Sequence, residues 1–401
     1  MPESPAEVLT LFTGAMLGAS LCIMATGALM PFFRDALHLD QGQLGWILSV
    51  QFAGSVAMTS VAGLLTDRFG DKAVVLWSGC LMGAALIAAG LHANYAWLIG
   101  FLLLYGLGYA AVTPAGSHAI IFFFARERRG IAMGIRQCGV PAAGVVGSLL
   151  LPAIAQRFGY QDALIAAGIL TLVACVIASR FYREPDALHG ERVSLGTMLQ
   201  GMLAIARRSR LILITLTSMV LITGQLALVG FWTLTLMHRA GYSLGIALGL
   251  YTVSQVAAIA GRLSWGLLSD RLFKGSRALP LATVCVLVAI IAASVAAVGT
   301  GTPVWVAALL SIALGFTAEG WLGVSVIGFA EIGGEEHSGS ALGVGLTWTL
   351  LAGFATPAIF GALIQSYGFD VAWQLLAALQ ICGVVPALLA SRKVAPSSSP
   401  A

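Results

Sequence analysis

The sequence predicts an all-α membrane protein with twelve transmembrane helices in two pseudo-symmetric sets of six. Three observations lead to this prediction: 59% of the 401 residues are apolar, only 9% are charged, and apolar runs recur along the whole chain. Ordinary soluble domains carry about 25% charged residues, and a helical span needs about 20 apolar residues. The sequence lacks the alternating ten-residue segments of a membrane β-barrel.

The apolar runs define the spans in order along the chain. We predict them at 9–31, 43–65, 73–92, 96–122, 131–153, 162–180, 211–236, 244–267, 279–299, 304–329, 340–364 and 371–390. The acidic start MPESPAEV lacks the basic residues of a secretory signal, so we expect the first run to be retained. All six cysteines lie inside spans without CxxC spacing, so we expect them to pack as small core residues rather than bind a metal.

Positive charge is concentrated in alternate connections between the spans. Most of the 21 lysines and arginines lie there, namely Arg68, Lys72, Arg126, Arg128, Arg129, Arg180, Arg183, Arg192, Arg207, Arg208, Arg210, Arg271, Lys274, Arg277, Arg392 and Lys393. Cytoplasmic loops retain such an excess of Lys and Arg. We therefore predict cytoplasmic termini for an integral, multi-pass protein of the bacterial inner membrane. The basic loops are too short and scattered for nucleic-acid recognition.

The longest polar connection, 181–210, divides the chain into predicted units at 1–180 and 211–401, each with six spans. The two units also repeat each other. GLLTDR after the second span returns as GLLSDR after the eighth, and GIAMG at the fifth span returns as GSALG at the eleventh. Internal repeats in a membrane protein are typical of transporters whose binding site lies near the midplane between the repeats.

The decapeptide GLLTDRFGDK at 63–72 resembles the loop signature G-x-x-x-D-R-x-G-x-[KR] of the major facilitator superfamily, and GLLSDRLFKG at 266–275 resembles its degenerate second copy. With the twelve spans, the resemblance covers essentially the whole chain. It implies two six-helix bundles that rock about a central cavity lined by the first, fourth, seventh and tenth helices. It also implies a gating role for the matching residues Gly63, Asp67, Arg68, Gly70, Lys72, Gly266, Asp270 and Arg271. The alternative is that these residues only fix the topology.

Three charged residues lie clearly inside predicted spans: Arg136, Arg262 and Glu319. A charged side chain at the centre of a membrane helix costs about 2.5–3.5 kcal/mol on insertion scales. Such residues are therefore expected to face the interior of the bundle or a water-lined cavity, and to be functional.

Arg262 is the first candidate for substrate binding. It shares one face of the eighth helix with Tyr251 and Gln255, about 12–15 Å from the cytoplasmic end at 1.5 Å per residue. A guanidinium fork suits a carboxylate, and the position resembles that of the substrate arginine of monocarboxylate and oxalate transporters. The resemblance implies a small organic anion as substrate. The alternative is a structural arginine that reaches the surface or pairs with Asp270.

Other polar and aromatic residues extend this predicted site. Arg136 and Gln137 on the fifth helix are expected to supply the second half of an anion clamp, or alternatively a cytoplasmic gate. Further candidates for the cavity lining are Tyr105 and Tyr109 on the fourth helix and Trp348 on the eleventh.

Glu319 is the first candidate for proton coupling. It lies near the middle of the tenth helix, which the resemblance places on the cavity, and membrane carboxyl groups serve as proton relays. The flanking Gly315 and Gly323 are expected to keep its face open. The alternative is a static ion pair with one of the two arginines. His118 on the fourth helix is a second, titratable candidate, although packing is the alternative there.

The sequence shows no Walker loop, metal-ligand cluster, nucleotide fold or nucleophile–base pair, so we predict neither an enzyme nor a cofactor. We predict a monomeric secondary transporter that moves a small, carboxylate-like organic anion by alternating access, with proton symport or anion exchange. One alternative is a proton-driven exporter of apolar or cationic compounds, in which Glu319 is the binding charge. Another is a membrane receptor that binds a ligand without moving it.

Overall fold

The computed structural model describes residues 4–185 and 205–392, and within these two ranges the chain forms helices joined by short connections, with no strand. We number the helices by span. They are α1 Pro5–Leu37, α2 41–69, α3 71–90, α4 Tyr95–Phe123, α5 Arg126–Gln137 continued by Gly139–Phe158, α6 Tyr160–Phe181, α7 Ser209–Arg239, α8 Leu244–Arg271, α9 Ala278–Ala296, α10 Val304–Ala318 continued by 322–333, α11 335–367 and α12 369–391. Most of the predicted connection 181–210 lies outside the described residues.

The described chain contains ten helices that are long and apolar enough to cross a membrane. The last of these, Ser340–Ser391, has 52 residues, or about 78 Å at 1.5 Å per residue, and contains two crossings. These crossings are α11 and α12, which meet at Gly368, where φ is 88°. The helix 41–69 adds a further crossing and meets α3 at Gly70, where φ is 81°. The predicted all-α fold with twelve spans is confirmed.

Two spans contain a break that the apolar pattern does not predict. In α5 the break falls at Cys138. Three residues further on, Pro141 has no amide hydrogen to bond the carbonyl of Gln137, so one bond of the helical ladder is missing, and the ladder resumes with the bond from Ala142 to Cys138. In α10 the residues Glu319–Trp321 form a turn between two helical segments. Broken helices inside transporters leave backbone groups free to bind ions and side chains.

Glycine residues bring the two sets of six helices into backbone contact on one side of the molecule. We call the side that holds the start of α1 and the end of α12 the terminal side, and the opposite side the distal side. On the distal half, Gly27 of α1 lies against Val229 of α7, and Gly45 of α2 lies against Pro357 of α11. A Cβ atom on either glycine would overlap a carbonyl oxygen of the partner helix. We call these two contacts the distal seam.

Polar bonds reinforce the distal side. The Arg34 guanidinium donates to Nε2 of His238 at 2.7 Å, which ties α1 to α7. The amide of Ala358 on α11 donates to Oγ of Ser49 on α2 at 3.0 Å. Bonds of this kind join α1–α6, the N-terminal half, to α7–α12, the C-terminal half.

A close contact between α8 and α10 provides a test of the packing. A Cβ atom on Gly315 would overlap the Ser254 carbonyl oxygen, whereas no atom lies within 4 Å of the Cβ position of Gly323 on the same span. We therefore expect Gly315→Ala to lower the thermal unfolding midpoint, since overpacking costs roughly 1–3 kcal/mol. Gly323→Ala is the matched control and should unfold like the wild type. Equal midpoints for the two variants in detergent would contradict this packing.

Candidate functional site

The three charged residues of the predicted spans are buried at the breaks of the fifth and tenth spans and on α8. Arg136 is 1% exposed, Arg262 is 6% exposed and Glu319 is fully buried. Among the described residues, no ion pair joins Glu319 to either arginine, so a static pair is not observed. Two buried cations and one buried carboxyl group therefore lack direct charge partners.

Arg262 connects the C-terminal half to the break in α5. Its Nη1 donates to the carbonyl oxygen of Gln137 at 2.9 Å. That carbonyl is available because Pro141 cannot donate to it. The Nε and Nη2 atoms of Arg262 are buried without a hydrogen-bond partner, as is Oε1 of Gln137. Arg262 is thus held by one neutral acceptor and keeps two unpartnered nitrogen atoms, Nε and Nη2, whose N–H groups can bind an oxyanion.

Asp270 does not pair with Arg262. Its carboxylate accepts from Nη1 of Arg277 at 2.6 Å, and the same guanidinium donates to Glu331 at 2.7 Å. This cluster lies at the terminal-side end of the C-terminal half. In the same loop signature, Arg271 is exposed and Gly266 has no atom within 4 Å of its Cβ position.

Arg136 is bound within the N-terminal half by groups of α4. Its Nη1 donates to the Thr113 carbonyl oxygen at 3.2 Å, and its Nη2 donates to Oγ of Ser117 at 3.0 Å. Its Nε atom is buried without a partner. Both acceptors are neutral, so no hydrogen-bonded counter-charge compensates Arg136.

Glu319 is bound by one neutral donor. Its Oε1 accepts from Nε2 of Gln255 at 2.6 Å, and its Oε2 is buried without a partner. One turn from Gln255 on α8, the Tyr251 hydroxyl donates to the Met24 carbonyl oxygen on α1. The polar face predicted on α8 therefore lies between Glu319 and the N-terminal half.

The predicted aromatic residues take different positions. The Tyr105 hydroxyl is fully buried and donates to the Ala19 carbonyl oxygen, within the N-terminal half. Tyr109 stacks on Tyr105 with ring centroids 6.2 Å apart, and it is close enough for the charges of both buried arginines to act on it. Trp348 is 51% exposed. The structure thus brings Tyr109 to the charged residues, but not Tyr105 or Trp348.

His118 lies apart from Glu319. Its Nδ1 is 3.0 Å from Oδ1 of Asp71, a fully buried residue whose Oδ2 accepts from the Tyr182 hydroxyl at 3.4 Å. The sequence did not single out Asp71, although its place beside Gly70 in the loop signature is a usable signal. The α4 helix carries His118 near its terminal-side end, where it contacts the start of α3, and its role in proton coupling stays a prediction.

The first loop signature is built around Gly70. A side chain there would overlap the Glu184 carboxylate, and the φ of 81° disfavours any other residue. Glu184 accepts from the amides of Asp71 at 2.7 Å and Lys72 at 3.4 Å, so it anchors the start of α3. The side chain of Lys72 is exposed. Arg68 is also exposed and lies over the Phe69 ring. The surroundings of Gly63 and Asp67 lie outside the described residues.

A multi-pass bundle with uncompensated charges at two broken helices is the architecture of a membrane transporter. The family model of the Major Facilitator Superfamily matches residues 12–355, and the chain belongs to that superfamily. It is an integral membrane transporter. A crystal structure of a bacterial homologue of the human lysosomal transporter Spinster, inward-facing and unoccupied, has the same fold with a TM-score of 0.73 and 15% identity. The match covers 98% of this chain and 96% of that one.

Sequence relatives have varied activities. An uncharacterised MFS-type transporter of Mycobacterium tuberculosis is 30% identical over 93% of this chain and 81% of its own length. A 3-(3-hydroxy-phenyl)propionate transporter of Escherichia coli is 27% identical over 63% of this chain and 62% of its own. A protein of Cupriavidus necator described as a probable sulfoacetate transporter is 25% identical over 89% of this chain and 87% of its own length. Other relatives are named as efflux proteins.

Proposed function

We propose that the protein is a secondary transporter of small, carboxylate-like organic anions, in which Arg262 and Arg136 bind the anion. The observation that carries the proposal is the surplus of buried positive charge. Both guanidinium groups are bonded only to neutral acceptors, and three of their buried nitrogen atoms have no partner. Buried charges without a counter-charge are costly, and an anionic substrate supplies that counter-charge.

Glu319 gives this site a means of proton coupling. Its charge and that of Arg262 act on each other without direct contact. An ionised Glu319 offsets one of the two arginine charges. When Glu319 takes up a proton, both arginine charges become available to an anion. Proton binding therefore favours anion binding at the same site, which is the requirement for proton–anion symport.

The names of two relatives are consistent with this proposal, since hydroxyphenylpropionate and sulfoacetate are both organic anions. The excess of Lys and Arg in the terminal-side connections supports a cytoplasmic terminal side. We propose that the protein works as a monomer in a bacterial inner membrane, with the substrate path between 1–180 and 211–401.

Uptake into proteoliposomes tests the proposal. The panel contains 3-phenylpropionate, acetate, oxalate, succinate and sulfoacetate, each with and without an inward proton gradient. We expect at least one acid to accumulate above equilibrium, and an ionophore that collapses the gradient should abolish the accumulation. Protein-free liposomes are the control. If folded protein neither accumulates nor exchanges any of these acids, transport of the tested anions is contradicted.

Export of apolar cations is the second candidate function, favoured by the buried, unpartnered Oε2 of Glu319 and by the efflux relatives. Ethidium efflux from cells distinguishes the two functions. An exporter of this kind would lose efflux in Glu319→Gln and retain it in Arg262→Ala. The anion transporter proposed here should show no protein-dependent ethidium efflux.

The role of Pro141 can be tested in the same uptake assay. In Pro141→Ala, the new amide hydrogen competes with Arg262 for the Gln137 carbonyl, and a hydrogen bond to a charged group contributes about 1.5–3 kcal/mol. We expect the apparent KM for the transported acid to rise roughly tenfold. Pro152→Ala in the same helix is the matched control, because Pro152 frees a different carbonyl. An unchanged KM in Pro141→Ala would show that the freed carbonyl does not orient Arg262.

A further inference from the structure

Gln255 lies between the proposed proton-binding group and the opposite half of the molecule. Its Nε2 donates to Oε1 of Glu319 on α10, in its own half. Its Oε1 is buried without a partner and lies against Gly144 of α5, in the N-terminal half. A Cβ atom at Gly144 would overlap Oε1 of Gln255. The amide group of Gln255 therefore contacts Glu319 through its nitrogen atom and the N-terminal half through its oxygen atom.

The orientation of this amide depends on the protonation state of Glu319. A carboxylate only accepts hydrogen bonds, so an ionised Glu319 requires the NH2 group of Gln255 to face it. The amide oxygen must then face α5, where it has no donor. A protonated Glu319 has an O–H group that can donate to the amide oxygen. The amide can then turn over and present its NH2 group to α5 instead.

Protonation thus exchanges an acceptor for a donor at the contact between α8 and α5. This contact is one of those that join the two halves, together with the nearby bonds from Tyr251 to Met24 and from Arg262 to Gln137. With Glu319 ionised, the amide oxygen at this interface is buried without a donor, which is unfavourable, whereas the turned amide places a donor there instead. The preferred arrangement of the two halves relative to each other therefore differs between protonated and ionised Glu319.

The charged and titratable groups around Glu319 keep a fixed charge near neutral pH. Within the described chain, Arg262 and Tyr251 of α8 act on it electrostatically, and Tyr109 and Cys138 act on Arg262. Arginine stays charged, and tyrosine and a buried thiol stay neutral in this range. Gln255 is neutral and contributes only its hydrogen-bonding direction.

We propose that Gln255 is a positioning residue that transmits the protonation state of Glu319 to the contact between the two halves. The proposal rests on the proposed function in one respect, the exchange of a proton by Glu319. It adds the element that converts that proton into a change of conformation.

The test uses the full-length protein in lipid without any substrate. Infrared difference spectroscopy follows the carboxyl band of Glu319, which is identified by its loss in Glu319→Gln. Pulsed electron resonance follows the distance between spin labels at two exposed residues of the distal loops, Ala93 in one half and Thr300 in the other. In the wild type we expect the distance to change with pH at the midpoint of the carboxyl band, and in Glu319→Gln we expect no change.

In Gln255→Leu, the carboxyl band should still titrate, but the distance change should be lost. Gln225→Leu is the matched control, because Gln225 is a buried glutamine of α7 whose Oε1 also lacks a partner. It should retain both signals. Gly144→Ala crowds the same amide from α5 and should reduce the distance change, which keeps the test available if Gln255→Leu does not fold.

A wild-type distance change in Gln255→Leu and Gly144→Ala would overturn the proposal, and so would a wild-type protein whose distance does not respond to pH. Neither signal requires a transported anion. Failure of this test is therefore separate from failure of anion transport, which the uptake panel decides.

Discussion

Arg262→Ala is expected to reduce uptake of the transported anion by roughly 30-fold or more. Truncating one partner of a buried, hydrogen-bonded charge pair costs about 2–5 kcal/mol, and each 1.4 kcal/mol is a tenfold change in affinity. Arg262 has two buried donors for the anion, and its third contact anchors it to Gln137. Arg262→Lys should restore only a small part of the uptake. An ammonium group lacks the planar fork with which arginine binds the anion and the Gln137 carbonyl at the same time.

The matched control is Arg157→Ala. Arg157 is an exposed arginine of α5 that lies over the Phe158 ring, and its loss should leave uptake unchanged. The two variants and the wild type are compared by their initial uptake rates over a range of substrate concentrations. The rates are normalised to the amount of reconstituted protein. Wild-type kinetics in Arg262→Ala would remove the arginine from the substrate site.

Glu319→Gln is expected to abolish accumulation driven by a proton gradient while leaving exchange of anion across the membrane. Glutamine keeps the size of the side chain and a carbonyl oxygen for the bond from Gln255, but it cannot gain or lose a proton. The site is then fixed in the state in which both arginines face the anion uncompensated. The pH dependence of uptake should flatten accordingly.

Counterflow and gradient-driven uptake, measured on the same proteoliposomes, separate these two activities. Glu7→Gln is the control, because Glu7 caps the start of α1 at the surface and glutamine serves equally well in that cap. Accumulation of the anion to the wild-type level in Glu319→Gln would assign the coupling proton to another group.

The sequence predicts which charges are buried, but not which groups they meet. Burial of Arg262 and Glu319 follows from composition alone, because their neighbours in sequence are apolar. The bond from Arg262 to the Gln137 carbonyl joins residues that lie 125 positions apart in different halves, so it depends on how the two halves pack together. Pro141 was a readable signal for that free carbonyl, since it removes the donor four residues on. The prediction instead assigned the side chain of Gln137 to the clamp.

The break in the tenth span had a weaker signal. No proline marks it, and the apolar pattern continues through Glu319, so a regular helix is the expected result. Glycine spacing was also ambiguous. Gly315 was expected to keep a face open, yet that space is filled by the backbone of α8 at Ser254, whereas Gly323 has no near neighbour. A glycine in a span indicates that another group comes close to the helix backbone. It does not indicate whether that group is a ligand or a neighbouring helix.

The rotation of a helix about its axis is the remaining unknown. Periodicity shows that Tyr105 and Tyr109 lie on neighbouring parts of α4, but packing decides which of them reaches the arginines. In the structure Tyr105 is turned towards α1 and Tyr109 is partly exposed. The same applies to His118, whose partner Asp71 comes from the start of another helix.

The distal seam has a practical consequence for trapping this protein in a single state. Gly27 and Gly45 allow the two halves to close against each other with backbone atoms alone. A methyl group at either position acts as a wedge on the distal side, against the backbone of Val229 or of Pro357. Such a wedge biases the population towards conformers with the distal side apart and leaves the charged residues intact. An alternate state of the transport cycle can thus be enriched for structure determination with its binding chemistry unaltered.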